Sequence, residues 1–293
     1  MGQRQPEQPE RSEQAAQAIR ASGHRDGRGD VSGTVELTFL GTGASNGIPM
    51  IGCHCPVCTS ADPRDRRGRT SAVVRFDGLT VLIDTAAELR MQARAAGLDK
   101  IDAALFTHAH ADHLGGFDDL RRFNEVAQAR LPIYADHATA EMLRGRFAYA
   151  FPQQFPFFGG KPDLDLFEFE GPFDLFGHRI VPIPVRHGRW TVQGFRFGPL
   201  VYLTDAKEIP AGSMELMRDA DILVLNALRP EPHPVHLSIG EALAIIEELA
   251  PRQAYLVHMG HWVSHAEVSR TLPDGVELAY DGLTVRTETA FGE

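Results

Sequence analysis

Short apolar runs, several of them alternating with polar residues, recur along the chain and predict a β-rich fold. The run Val35–Leu40 alternates and stops at Gly41, which indicates the first strand of the folded part. Asp77-Gly78 separates two later runs, as in a β-hairpin. The three runs between 179 and 203 are expected to form consecutive antiparallel strands. The predicted strands are Val35–Leu40, Ala72–Phe76, Thr80–Ile83, Ala103–Phe106, Arg179–Val185, Val192–Phe197, Leu200–Leu203, Ile222–Leu225 and Ala254–Val257.

Four stretches carry apolar residues at helical spacing and predict amphipathic helices. In the last of them Ser238 is the expected N-cap, because Glu241 follows three residues on and completes a capping box. Helices interspersed with strands indicate one α/β domain in which β-sheets are covered by helices. We assign that domain to residues 34–293, and the polar segment 1–33 to a mobile tail with at most a short helix near Glu13–Ile19. The predicted helices are Ala87–Ala96, Phe117–Ala127, Thr139–Phe147 and Ser238–Leu249.

The charge of the chain narrows the class of substrate. Its 293 residues carry a net charge of −10, and the positive and negative residues of the tail cancel. An acidic folded part repels polyphosphate backbones, so a long nucleic acid is a poor candidate for the substrate. No apolar run reaches the roughly 18 residues that a membrane span needs, and the polar N-terminus is unlike a signal peptide. We therefore expect a cytoplasmic protein without membrane partners.

Four metal-ligand side chains directly follow the predicted strand Ala103–Phe106. They are His108, His110, Asp112 and His113. Because alternate residues of an extended segment face the same way, the first two are expected to reach one ion and the last two, in the following turn, a second. Open α/β sheets bind ligands at such strand ends, and imidazole with carboxylate suits zinc, manganese or iron. The alternative, a solvated histidine-rich loop, is disfavoured by so many ligand-type residues in so short a segment.

Three further ligand-type residues lie just beyond predicted strands elsewhere in the chain. They are His187, Asp205 and His258. Each alone is compatible with an ordinary surface or core side chain. Their shared position near the end of a buried strand indicates a common site with the histidine motif. Together with that motif they supply enough ligands for a dinuclear centre, with Asp205 able to bridge the two ions.

The order His-x-His-x-Asp-His, followed by a distant His, Asp and His, resembles the metallo-β-lactamase superfamily of hydrolases. The similarity extends from about Val35 to Arg286. It implies an αββα sandwich, an α/β fold with two mixed sheets flanked by helices and the metals at one edge of the sheets. Asp84 matches the strand-end aspartate that supports the metal ligands in that family. By this resemblance two divalent ions, zinc or manganese, are held by His108, His110 and His187 and by Asp112, His113 and His258, with Asp205 between them.

All three cysteines of the chain, Cys53, Cys55 and Cys58, lie within one short segment. An odd number of cysteines so close together is a poor disulfide framework and a good metal-ligand cluster. The alternative is three buried free thiols, which would repel or oxidise without a metal. A closed tetrahedral zinc site needs a fourth ligand. His261 is the stronger candidate because it shares a segment with His258, and His54 is the weaker one.

A narrower resemblance rests on Gly41-Thr42-Gly43, Gly52-Cys53-His54-Cys55 and His258-Met259-Gly260-His261. Within the superfamily these stretches are similar to the phosphoribosyl 1,2-cyclic phosphate phosphodiesterases of the carbon–phosphorus lyase pathway. The similarity implies one structural zinc, bound by Cys53, Cys55, Cys58 and His261.

The same resemblance implies that His236 is the general acid that protonates the leaving oxygen near neutral pH. A helix-capping or merely exposed histidine is the alternative, and His233 is a second candidate nearby. The segments Lys207–Pro210 and Asn226–Pro230 depart from the pattern of these phosphodiesterases, which leaves the substrate less well defined than the metal chemistry.

These features predict a metal-dependent hydrolase that cleaves a small phosphodiester, such as a cyclic ribosyl phosphate, with His236 and Asp112 in catalytic roles. A tRNA-processing nuclease on the same fold would need a basic RNA-binding extension, which is not evident in the sequence. A thioester or lactone hydrolase would not need His236. A non-catalytic cofactor-biosynthesis accessory protein would have a broken ligand set, whereas every position is filled here. The oligomeric state stays open, with a homodimer as one alternative.

Overall fold

The computed structural model of the chain describes residues 33–151 and 160–290. The predicted tail therefore lies almost entirely outside the described residues, as do 152–159 and 291–293 of the predicted domain. The strands within the described part are β1 (Thr34–Gly41), β2 (Ser71–Phe76), β3 (Leu79–Ile83), β4 (Ala103–Leu105), β5 (Leu131–Asp136), β6 (Leu164–Phe169), β7 (Phe173–Leu175), β8 (His178–His187), β9 (Trp190–Phe197), β10 (Leu200–Tyr202), β11 (Ile222–Asn226), β12 (Gln253–Val257), β13 (Val276–Leu278) and β14 (Thr284–Ala290).

Helices connect and cover these strands, and the described part contains no helix that is long and apolar enough to cross a membrane. Short 3₁₀ turns lie at Pro63–Asp65, Phe117–Asp119 and Ala148–Ala150. The α-helices are α1 (Leu89–Ala95), α2 (Ala111–Leu114), α3 (Leu120–Ala127), α4 (His137–Arg146), α5 (Ala211–Met217), α6 (Ile239–Leu249) and α7 (His265–Val268).

The strands form two mixed sheets of seven strands each within the described residues. The first has the order β14-β1-β2-β3-β4-β5-β6, antiparallel from β14 to β3 and parallel from β3 to β6. The second has the order β13-β12-β11-β10-β9-β8-β7, parallel from β13 to β10 and antiparallel from β10 to β7. The predicted fold class, two mixed sheets flanked by helices, is confirmed.

Each sheet presents one apolar face to the other sheet and one to its helices, because successive strand residues point to opposite faces. Val74 and Val224 belong to the buried layer between the sheets. Their neighbours Leu223 and Val73 belong to the outer layers. The outer layer of the first sheet packs against α1, α3 and α4, and that of the second packs against α5 and α6. Strands buried on both faces explain why so many of the predicted runs are continuously apolar.

Most predicted elements have the expected type, and their ends shift where a tertiary contact intervenes. The strand predicted to end at Val185 continues as β8 to His187, because its last residues still pair with β9. The helix predicted to begin at Thr139 begins earlier, as α4, because the Asp136 side chain accepts a hydrogen bond from the Thr139 backbone N–H at 2.8 Å and caps it. The predicted helix Phe117–Ala127 is divided into a 3₁₀ turn and α3.

Five strands were not predicted: β5, β6, β7, β13 and β14. β13 and β7 have only three residues each and lie at the edges of the second sheet. β14 is largely polar, and it is held by pairing with β1, more than 240 residues away along the chain. Local patterning carries little information about strands whose partners are so distant.

The capping box at the start of α6 gives a stability prediction. The Ser238 hydroxyl accepts from the Glu241 backbone N–H at 3.3 Å, and the Glu241 carboxylate accepts from the Ser238 backbone N–H at 2.8 Å. Ser238→Ala is expected to lower the free energy of unfolding by about 1 kcal/mol, because it leaves a backbone donor without its partner. Urea denaturation measures the change. Glu247→Ala, an exposed position on the same helix, is the control. Equal stability of the two variants would contradict the role of the cap.

Candidate metal centre

Three of the candidate site residues lie where strands end in a sharp turn. Asp84 follows β3, Asp205 lies three residues beyond β10, and His258 follows β12. All three have left-handed backbone conformations, with φ of 59°, 60° and 55°. A side chain other than glycine is strained there by roughly 1 kcal/mol or more, and such strain is concentrated at functional sites. Asp205 and His258 come from the second sheet and meet the histidine segment of the first, whereas Asp84 contacts that segment from within its own sheet.

The first group of ligand-type side chains contains His108, His110, His187 and Asp205. One nitrogen or oxygen atom from each lies within 4.8 Å of the corresponding atoms of the others. His108 and His110 alternate in the extended segment after β4, as the sequence analysis predicted, and their rings meet edge to face with centroids 4.5 Å apart. His187 at the end of β8 comes from the other sheet. This group is called the first cage below.

The second group contains Asp112, His113, His258 and again Asp205. Their ligand atoms also lie within 4.8 Å of one another. Asp112 and His113 belong to the one-turn helix α2, and the His113 ring lies next to the ring of His108 of the first cage, with centroids 4.3 Å apart. This group is called the second cage below.

Asp205 belongs to both cages, and its two carboxylate oxygens are divided between them. Oδ2 lies 3.7 Å from His108 Nε2 and 3.9 Å from His187 Nε2. Oδ1 lies 3.5 Å from His113 Nε2 and 3.2 Å from His258 Nε2. The carboxylate is therefore placed to bridge two cations.

Three ring nitrogens that face the cages are placed as bound metal ions would require. The Nε2 atoms of His108, His113 and His258 are buried and have no hydrogen-bond partner among the described residues. On two of these rings Nδ1 is engaged, with the Thr107 hydroxyl at 3.0 Å and with the Asp84 carboxylate at 2.7 Å. His187 Nδ1 similarly meets the Val235 carbonyl at 2.7 Å. Nδ1 contacts of this kind orient metal-binding histidines in proteins, and an unpaired buried nitrogen is otherwise costly.

The electrostatics of the site also favour cations. Burial alone would raise the pKa of Asp205, but the charges of His258 and His113 outweigh it and hold that pKa well below its usual value. Burial lowers the pKa of His108 well below its usual value, which keeps the ring neutral. Burial would also lower the pKa of His113, but the charges of Asp205 and Asp84 outweigh it and raise the pKa well above normal. The raised pKa of His113 reflects the negative charge of the buried carboxylates around it.

Asp84 supports the histidine motif from below. Its carboxylate accepts from the Thr107 backbone N–H at 2.8 Å, from the Thr107 hydroxyl at 2.7 Å and from His113 Nδ1 at 2.7 Å. The family resemblance implied this supporting role for Asp84. The contacts tie the end of β3 to the start of the histidine segment, so that both cages share one rigid base.

Residues 80–259, which carry both cages, match the family model described as a beta-lactamase superfamily domain. The chain belongs to the metallo-β-lactamase superfamily. This fold implies divalent metal binding, in agreement with the two cages. The resemblance stated from the sequence is thereby confirmed.

Two relatives of this metallo-β-lactamase-superfamily chain are similar over most of its length. A solved structure described as a new diphosphatase from the PhnP family has 42% sequence identity and a TM-score of 0.81, over 88% of this chain and 100% of that one. An octanoyltransferase of Porphyromonas gingivalis (strain ATCC BAA-308 / W83) is 37% identical over 255 residues, 85% of this chain and 51% of that protein. The chain thus spans about half of the octanoyltransferase.

A third relative covers a smaller part of the chain. A ribonuclease Z of Mycolicibacterium gilvum (strain PYR-GCK) is 31% identical over 116 residues, 37% of this chain and 35% of that protein. The match is consistent with a common superfamily and covers too little of either protein to transfer an activity.

A separate cluster brings the three cysteines together with His261. The Nδ1 atom of His261 lies 3.2 Å from Cys53 Sγ, 3.5 Å from Cys55 Sγ and 3.8 Å from Cys58 Sγ. The four ligand atoms are all within 4.8 Å of one another. His54, the weaker candidate for the fourth ligand, is exposed and is not part of the cluster. The donor set suits a closed tetrahedral site.

His236 lies over both cages without belonging to either. Its ring centroid is 4.5 Å from that of His187 and 4.7 Å from that of His258. Its Nδ1 atom is buried and has no hydrogen-bond partner. The alternative candidate His233 is farther out, with its ring 5.4 Å from the ring of His236.

Two supporting residues were missed by the sequence analysis. Asn226 is fully buried at the end of β11, and its side chain accepts from the Ala206 backbone N–H at 2.7 Å and donates to the Ala206 carbonyl at 3.1 Å. The Thr204 hydroxyl donates to Asp205 Oδ1 at 2.7 Å. Both contacts fix the turn that carries Asp205. An asparagine that closes a continuously apolar strand was the available signal.

The contacts of Asp84 lead to a prediction about metal affinity. Asp84→Asn keeps the size of the side chain and tolerates the left-handed backbone. In either orientation, however, its amide N–H₂ would point at a hydrogen-bond donor of Thr107 or His113 instead of accepting from it. We expect metal affinity to fall about 10- to 100-fold, as measured by competition with a chromophoric chelator. Asp102→Asn is the matched control, because Asp102 is also buried and accepts from the Thr80 backbone N–H at 2.8 Å outside the site. Equal metal affinity in both variants would refute the supporting role.

Proposed function

We propose that the chain is a dinuclear metal-dependent hydrolase that cleaves a P–O bond in a small phosphodiester. The observation that carries the proposal is the division of the Asp205 carboxylate between two complete cages. Two ions held in this way would supply Lewis-acid polarisation of a phosphoryl group and an activated water, as in other two-metal hydrolases. The proposed ions are zinc or manganese, because imidazole and carboxylate suit both. Asp112 acts with them as a ligand next to the reacting phosphate.

His236 is the proposed proton donor to the leaving oxygen. Burial, together with the charge of His258, lowers the pKa of His236 to about 3, so the ring is neutral near pH 7 in the protein alone. The negative charge of a bound phosphate favours the protonated ring. A proton held at this position can pass to the alkoxide as the P–O bond breaks, which contributes typically 10²- to 10⁴-fold in rate.

A second candidate reaction is hydrolysis of the P–O–P linkage in a diphosphate diester. The solved structure with 42% identity is described as a diphosphatase, which favours this reaction. Water adds to one phosphorus, the bridging oxygen leaves with the other phosphate, and the products are two phosphate monoesters. A phosphate is a better leaving group than an alkoxide and depends less on protonation as it leaves. The two reactions should therefore depend on His236 to different degrees.

The cluster of Cys53, Cys55, Cys58 and His261 is proposed to hold a structural zinc. His261 lies three residues after His258 of the second cage, so a metal there would stiffen the segment that carries a catalytic ligand. A structural role also fits the four donor side chains of the cluster, which would fill a closed tetrahedral zinc site.

Metal analysis combined with activity assays tests the proposal. We expect about three metal equivalents per chain, two in the cages and one in the cysteine cluster, and loss of bis(p-nitrophenyl) phosphate hydrolysis after chelation. Assays with 2′,3′-cyclic nucleotides, a ribosyl cyclic phosphate and a diphosphate diester then define the substrate. Cys55→Ser, which affects only the cysteine cluster, should lose one equivalent of zinc and retain the catalytic pair. Fully loaded protein that cleaves none of these esters would refute the function.

Replacement of His236 tests its role as an acid separately from the metals. We expect His236→Ala to lower phosphodiester turnover about 10²-fold or more, with unchanged metal content and a smaller loss on the diphosphate diester. The control is His137→Ala. His137 is exposed, and within the described part of the chain its side chain pairs with Glu168. Loss of metal in His236→Ala would identify His236 as a ligand instead.

A further inference from the structure

The chain has two tryptophans, and both lie exposed beside the metal centre. Trp190 is 41% exposed and Trp262 is 52% exposed. Trp190 follows His187 of the first cage by three residues, and Trp262 follows His258 of the second by four. The guanidinium group of Arg189 lies over the ring of Trp190, and that of Arg229 lies over the ring of Trp262. Single exposed aromatic side chains are common on protein surfaces, so the informative feature is where each ring lies relative to the cages.

Trp190 has the firmer connection to the reaction site. It opens β9 and pairs across the hairpin with His187, the last residue of β8. Its ring meets the ring of His110 edge to face, with the centroids 6.0 Å apart. Both histidines belong to the first cage, so the indole lies on the rim of that cage. The Arg189 guanidinium carbon is 5.2 Å from the centre of the indole and brings positive charge to the same place.

Trp262 is attached instead to the cysteine cluster. Its ring lies edge to face with the ring of His261, with centroids 4.3 Å apart. It also covers Gly260 so closely that a Cβ atom there would come within 2.6 Å of the indole. These contacts give Trp262 a packing role beside the cysteine cluster. The contacts of Trp190 are instead with His110 of the first cage and with Arg189, and its ring remains partly exposed there.

We propose that Trp190 is a specificity-determining residue that stacks on the planar base of a nucleotide-type substrate whose phosphate lies at the metal cages. The proposal rests on the function proposed above and deepens it by naming the substrate class. The face of an indole ring can stack on any nucleobase, because every base has a π-face. The positive charge of Arg189 complements the negative charge of a nucleotide. The protein as a whole has a net charge of −10, which otherwise repels anions.

Binding of two matched phosphates to the metal-loaded protein tests the proposal. AMP and ribose 5-phosphate share the sugar and the phosphate, and only AMP carries a base. Isothermal titration calorimetry should show AMP binding about tenfold tighter than ribose 5-phosphate, the size of effect that one base stack gives. The preference should vanish in Trp190→Ala and Trp190→Leu and persist in part in Trp190→Phe, while ribose 5-phosphate affinity stays constant. Met91→Ala, at an exposed apolar residue of α1, should retain the full preference.

The outcomes separate this inference from the proposed function. Suppose that ribose 5-phosphate binds and bis(p-nitrophenyl) phosphate is cleaved. If AMP then binds no tighter than ribose 5-phosphate, or still binds tighter in Trp190→Leu, the stacking role is overturned and the proposed hydrolase function stands. If neither phosphate binds and no ester is cleaved, the proposed function fails and the inference fails with it. Folded tRNA forms a third arm. Stronger inhibition by tRNA than by AMP would assign the base to an RNA and overturn the small-substrate proposal.

Discussion

The burial of Asp205 among imidazole rings is the constraint on which the rest of the site depends. A carboxylate that is almost completely buried is unstable unless positive charge or hydrogen bonds surround it. Here the carboxylate faces four histidine nitrogens at 3.2–3.9 Å. Three of those histidines have a cage-facing nitrogen with no other partner. Such an arrangement is satisfied by cations between the rings and the carboxylate, and poorly by protons alone.

The sandwich makes this arrangement possible because its two sheets end at the same place. The first sheet supplies the histidine segment after β4, and the second supplies His187, Asp205 and His258 from β8, β10 and β12. Left-handed turns occur at Asp84, Asp205 and His258. Buried hydrogen bonds hold two of these turns: Thr107 donates to Asp84, Thr204 donates to Asp205, and the Asn226 side chain accepts from the Ala206 backbone N–H. Rigid strands below and a polar network between them keep the ligands preorganised.

The same end of the sandwich carries the side chains to which we assign different parts of the proposed reaction. His236 lies over both cages, and Trp190 lies at the rim of the first cage. The cysteine cluster lies on the segment that continues from His258. In the proposed reaction, metal binding, proton transfer and substrate selection therefore fall to separate side chains. This separation is what allows relatives on one fold to differ in substrate while retaining the metal ligands.

The sequence by itself predicted the candidate ligand types and the strands that precede them, because a polar cluster after an apolar strand is a local signal, and the order of those residues resembled the superfamily. The alternation of His108 and His110 predicted that they face the same way. Only the tertiary structure decided that Asp205 divides its oxygens between two cages, that Asn226 holds its turn, and that β14 pairs with β1. It also decided that Trp190 faces the metal centre while Trp262 packs on His261. Those facts depend on contacts between residues far apart in the chain, which local periodicity does not encode.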